Sequence, residues 1–136
     1  FGIPGVSVTL PVYKDWTDLA FTRGRHVVAA SSNSDPDEPH WPASFAQVLS
    51  VTNADLPPEA LRHRPGNLIS LEASGINVPV LTPGGGTSTL TGSSFAAAHL
   101  TGLLARLLSR HPELSPGFAQ EALQGVAAAR HGPGSL

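Results

Sequence analysis

The sequence predicts an α/β fold: a mostly parallel β-sheet with helices on its faces, in three layers. Three observations carry this. From residue 6 to residue 30 an apolar alternation, a short amphipathic pattern and a continuous apolar run follow one another, the strand, helix, strand order of a parallel crossover. The run itself, HVVAA, is apolar without alternation and holds β-branched residues, as a strand covered on both faces requires. Farther on, a glycine-rich loop opens into a long amphipathic helix near residue 93.

Taken in order, Val6, Val8 and Leu10 of GVSVTLP alternate as a short strand that Pro11 ends, because proline cannot donate to a ladder. DWTDLAFTRG then places Trp16, Leu19 and Ala20 on one helical face and stops at Gly24, suited to a left-handed cap. After the HVVAA strand, SSNSDPDEPHWPAS is crowded with Ser, Asn, Asp and Pro and must be a loop leaving the C-terminal end of that strand. In open α/β sheets ligands bind at that end. QVLSVTNA is a further strand, DLPPEALRHRPGN a surface excursion, and LISLEA and VPVL short strands. PGGGTSTLTG is a glycine-rich loop before the helix from about Ser93 to Arg110, whose apolar face carries Phe95, Leu100, Leu103, Leu104, Leu107 and Leu108. His111 and Pro112 close it. A last amphipathic helix is expected to turn Phe118, Leu123 and Val126 inward. No internal repeat or linker interrupts residues 1–136, so one domain portion is expected.

Composition removes several classes of function. A chain of 136 residues, 40% hydrophobic, can bury a sizeable core. A net charge of -2 with 13% charged residues gives no field for nucleic acid or an anionic membrane, and neither partner is expected. With no cysteine there is no disulfide framework, thiolate metal site or cysteine nucleophile. The longest apolar stretch, Phe95 to Leu108, is broken by His99, Thr101, Gly102 and Arg106, which argues against a membrane span. The start at Phe1, with no basic segment leading an apolar run, reads as a fragment or a processed product.

Chemistry concentrates at TGSSFAAAHLTG, residues 91–102. A glycine-led turn sets Ser94 at a helix mouth, where free N–H groups and the helix dipole favour a developing negative charge. A serine at a helix start is, taken alone, more often a cap than a nucleophile. The wider sequence decides, since this stretch resembles the subtilisin-like serine peptidases, whose nucleophile motif reads G-T-S-x-A-x-P-H-h-x-G with h apolar. Gly92, Ser93, Ser94, Ala96, His99, Leu100 and Gly102 fit that frame if Ser93 is accepted for threonine; Ala98 stands where the family has proline. The resemblance implies that Ser94 is the nucleophile and His99 an interior helix residue. Five residues of helix rotate by roughly 140°, which independently turns His99 away from Ser94.

VVAASSNSD resembles the family's V-V-A-A-A-G-N, and the resemblance makes Asn33 the oxyanion donor, with the Ser94 N–H as its partner. Without the serine motif Asn33 reads as a turn asparagine. Asparagine here also departs from the related sedolisins, which use aspartate at that position. WPASFAQVLSVTNAD, INVPVLTPGGGTSTLTG and LLARLLSRHPELSP extend the likeness over nearly the whole chain. VSVTLPVY resembles the strand whose S-L-G edge pairs with extended substrate, Leu10 matching the leucine and Pro11 replacing the glycine. That costs the edge one N–H. The family's primary pocket maps to Leu10, Val12, Ala30, Ser31, Ser32 and Trp41, mainly apolar walls that imply a neutral or hydrophobic side chain in a polypeptide substrate.

A serine nucleophile needs a base and a group to orient it. In the family the aspartate and histidine precede the first strand seen here, and none of His26, His40, His63, His99, His111 and His131 stands in the histidine motif. His40, in the loop after Asn33, reads as a surface histidine. The partner implied is the N-terminal half of the same catalytic domain, or a second chain supplying both residues. The open alternative is a noncatalytic module that keeps the fold for binding. Asp35, Asp37 and Glu38 read as solvated loop charges or turn formers; no cofactor is required, and structural calcium is the weaker alternative there, without an acidic ligand pattern to support it. Secretion is the fate the resemblance implies.

Overall fold

A computed structural model of the chain describes residues 3–4 and 10–129. Its centre is a four-stranded sheet in the order β2, β4, β6, β5, built from Val28–Ala30 (β2), Leu49–Ala54 (β4), Leu71–Ser74 (β6) and Leu61–His63 (β5). β2, β4 and β6 run parallel; β5 is antiparallel to β6, pairing Leu61 with Ala73 and His63 with Leu71. The sheet is therefore mostly parallel with flanking helices, as the sequence predicts. Two short antiparallel pairs lie outside it: Ile3–Pro4 (β1) with His40–Trp41 (β3), and Val78–Thr82 (β7) with Gly86–Leu90 (β8).

Successive strand residues point to opposite faces, and both faces are covered. On one side Val51, Leu71 and Ala73, each 0% exposed, meet Ala96, Leu100 and Leu104 of the helix Ser93–Arg110 (α2) and Ala119, Leu123 and Ala127 of Pro116–Ala129 (α3). The spacing of four residues within each set is one stripe of a 3.6-residue helix. On the other side Ala29, Val48 and Ile69 close a smaller cluster with Ala43, supported by Val27 and Phe45. No helix among the described residues is long and apolar enough to cross a membrane.

Several expectations are corrected. Leu10 is not in a strand: the helix α1 spans Leu10–Thr22, starting before the expected Asp15. Pro11 falls in its first turn, where a missing N–H costs nothing and the fixed φ suits a helix, so the proline that was expected to stop a strand starts a helix. Val6 and Val8 lie outside the described residues. Trp16 and Leu19 are 53% and 49% exposed while Thr17 is buried. In α3, Phe118 and Val126 are 65% and 53% exposed, and only Leu123 of the expected trio is buried. Two neighbouring apolar stripes compete there, and the one rich in alanine permits the closer approach to β5 and α2. Finally, residues 61–63 and 86–90, expected as excursion and loop, are strands.

Candidate active site

Two chain segments meet at the C-terminal ends of the parallel strands. The first continues β2: the Ser31 N–H still donates to Val51 O at 3.0 Å, and Ser31 and Ser32 are buried at 4% and 6% exposure. The chain then emerges at Asn33, which is exposed. The second segment leaves β6, where the Gly75 N–H donates to Ala54 O at 3.2 Å, makes the β7–β8 hairpin, and returns as the Gly92 N–H donates to Gly75 O at 2.8 Å. Gly75 is required by this crossing. A Cβ on it would lie 2.5 Å from Asn53 Cβ and 2.9 Å from Gly92 O.

The two segments are joined by Ser93 and Asn33. Asn33 Oδ1 accepts from the Ser93 N–H and from Ser93 Oγ, both at 2.8 Å, and Ser93 Oγ also lies 2.7 Å from Ser31 O. One hydroxyl proton serves the two acceptors, while the Ser93 N–H belongs to Asn33 throughout. With Oδ1 committed, the covalent geometry of the amide puts its NH2 end on the far side, free to donate. Ser94 follows at the second position of α2, exposed, with no intrahelical acceptor for its N–H. The Phe95 N–H instead turns back to Gly92 O at 3.1 Å. Ser93, which the sequence does not single out, is thus the residue that holds Asn33 beside the start of α2. The only signal for Ser93 was a hydroxyl in the place of the family's threonine.

Ser94 also opens onto a cavity of about 490 Å³ lined by Val12, Trp16, Ala29, Ala30 and Pro42 among others, all uncharged. Of the expected substrate residues, Val12 and Ala30 line it. Leu10, Ser31, Ser32 and Trp41 do not; Ser31 and Ser32 form the buried floor beside Asn33, and Trp41 packs on Phe45 with ring centroids 4.5 Å apart. His99 Nδ1 lies 2.8 Å from Ser74 O and His26 Nε2 3.1 Å from Leu114 O. Both rings are thereby turned to backbone carbonyls, and His99 is a packed helix residue. Among the described residues no group of three or more His, Asp or Glu could hold a metal ion.

A sequence model described as the Subtilase family matches residues 7–135. The chain belongs to the subtilase family. Among curated subtilases, it is 32% identical over 115 residues to the M-protease of Shouchella clausii and to Subtilisin Savinase of Lederbergia lenta, covering 84% of this chain and 30% and 42% of theirs. The chain spans between 25% and 42% of the length of the first curated relatives it matches. Solved structures share the subtilase fold. A cold-adapted subtilisin-like serine proteinase superposes with a TM-score of 0.73 at 23% identity, over 92% of this chain and 45% of that one. Fervidolysin from Fervidobacterium pennivorans gives 0.69 at 23% identity, over 98% and 23%.

Proposed function

We propose that this chain carries the nucleophile and oxyanion hole of a serine endopeptidase that cleaves peptide bonds through an acyl-enzyme. Ser94 Oγ attacks the carbonyl carbon; the oxygen that becomes negative is received by the Ser94 N–H and the Asn33 side-chain NH2. The observation supporting this is the pair of hydrogen bonds that Ser93 donates to Asn33 Oδ1, which engages the amide oxygen and leaves the NH2 end to serve as a donor. The base and its orienting carboxylate come from a segment outside these residues, either the N-terminal half of the same domain or a second chain.

The surface supports such a partner. Within the described sheet β2 pairs only with β4, leaving one edge open, and Val12 and Trp16 beside it are 69% and 53% exposed. A strand and helices laid against this edge would complete the sheet and cover those side chains. The apolar cavity favours a neutral or hydrophobic substrate side chain, and no cofactor is needed.

The test is covalent labelling with a fluorophosphonate, using the chain joined to its upstream segment. Labelling that disappears in Ser94→Ala supports the reading. A second reading, a noncatalytic binding module, is favoured by the start of α1 at Leu10, which puts Leu10 and Pro11 in a helical turn and not on a substrate-pairing edge. A folded, completed protein that takes up no probe decides for that module.

A further inference from the structure

The loop after β2 is bonded mostly to itself. The Ser34 N–H donates to Ser32 Oγ at 3.3 Å, the Asp37 N–H to Asp35 Oδ1 at 2.9 Å, and the Glu38 N–H to Asp35 O at 3.2 Å. Local turns of this kind set a loop's shape and leave its place open. Between the buried Ser31–Ser32 pair and β3, side-chain bonds to other parts of the fold tie it at two points. At the near end Asn33 is held by Ser93; at the far end Asp37 Oδ2 accepts from Arg64 Nη2 at 3.0 Å.

Arg64 is built into the other side of the sheet. Its N–H donates to Ser70 O at 2.8 Å, its Nη1 to Ile69 O at 3.1 Å, and its Nε lies 3.6 Å from Glu72 Oε1 on β6, a carboxylate that also pairs with Arg62. The Arg64 and Glu72 side chains are only 18% and 14% exposed, whereas Asp37 is 43% exposed. A planar guanidinium gripped on several sides is a fixed post, and the exposed partner is the loop carboxylate.

We infer that Arg64 is a positioning residue for the oxyanion donor: acting through Asp37, it fixes the loop that carries Asn33 and so the direction of the Asn33 NH2. This rests on the role proposed above for Asn33. A single anchor at Oδ1 lets the loop pivot about Ser93. A second anchor four residues on removes the pivot, and donors aimed in advance are the ones that lower a barrier. Lysine is a poor substitute, because it lacks the planar, spread donors that Arg64 turns to Ile69 O, Asp37 and Glu72 at once.

The experiment uses the chain joined to its completing segment, with Asp37→Ala and Arg64→Lys. Asp37→Ala leaves the Asp35 turn and the inner contacts of Arg64 intact, so folding is not at stake. In both variants the Asn33 side-chain NH2 resonances are expected to shift and broaden, and kcat to fall roughly twofold to fivefold with KM unchanged, the scale of a lost ion pair. Unchanged Asn33 resonances in Asp37→Ala overturn the inference. So does a shift of those resonances with kcat intact. If the folded parent takes no fluorophosphonate while the Asn33 resonances respond, the peptidase reading falls and the coupling from Arg64 to Asn33 stands.

Discussion

Asn33 Oδ1 accepts two hydrogen bonds from Ser93, from its N–H and its Oγ, each 2.8 Å long. On the roles proposed for Ser94 and Asn33, Ser93 thus sets which end of the asparagine amide is left to meet the reacting carbonyl. Asn33→Ala, in the completed domain, is expected to lower kcat by ~10²- to 10³-fold with little change in KM, the usual cost of one oxyanion donor. Asn33→Asp keeps the acceptor toward Ser93 but replaces the donor with a negative charge, and should be at least as slow. Steady-state hydrolysis of a peptide ester measures both.

Ser93→Ala removes both hydroxyl contacts and leaves the buried Ser31 carbonyl without that donor. A destabilisation of ~1–3 kcal/mol is expected, read from the midpoint of a denaturant titration. Ser93→Thr retains the hydroxyl and should stay within ~1 kcal/mol of the parent.

Gly75→Ala tests the crossing below the hairpin. Its methyl group would meet Asn53 Cβ at 2.5 Å and Gly92 O at 2.9 Å, so backbone must shift. The expected loss is ~1–3 kcal/mol, as for other overpacked sites, accompanied by slower labelling of Ser94.

In α3 the two apolar stripes make opposite forecasts. Leu123→Ala should cost ~2–5 kcal/mol, because Leu123 packs at 7% exposure against the sheet. Phe118→Ala, at 65% exposure, should change stability by less than ~0.5 kcal/mol. Thermal unfolding of the pair ranks the faces directly.

Trp16 and Trp41 are the two tryptophans, and Trp16 is 53% exposed beside the open edge of β2. Adding the segment proposed to complete the sheet should shift tryptophan emission to the blue. Without it the chain should self-associate, measured by light scattering as a function of concentration.

The long helix and the central strands were legible because their signals are periodic. Leu100 and Leu104 fall on one stripe of α2, and Leu49, Val51 and Ala54 supply the apolar buried positions of β4, with Thr52 buried beside them. What was misread turned on choices that periodicity leaves open. Pro11 ends a strand or begins a helix equally well, and only the surrounding chain selects the helix. Phe118 and Ala119 begin adjacent stripes, and close packing chose the smaller one. β8 gives no strand signal because GTSTL carries only one apolar side chain, Leu90, and is exposed throughout, held by its pairing with β7. Ser94 and Asn33 are singled out by a family likeness; Ser93 and Arg64 make contacts across 60 and 27 residues, which a single sequence does not display.

The 2.8 Å bond from Gly92 to Gly75 has an architectural consequence. It closes the chain on itself between the end of β6 and the start of α2, so everything from residue 76 to residue 91 is a side excursion from a finished junction. That stretch is free to change length, sequence or shape, while the serine that follows it stays where the sheet has put it.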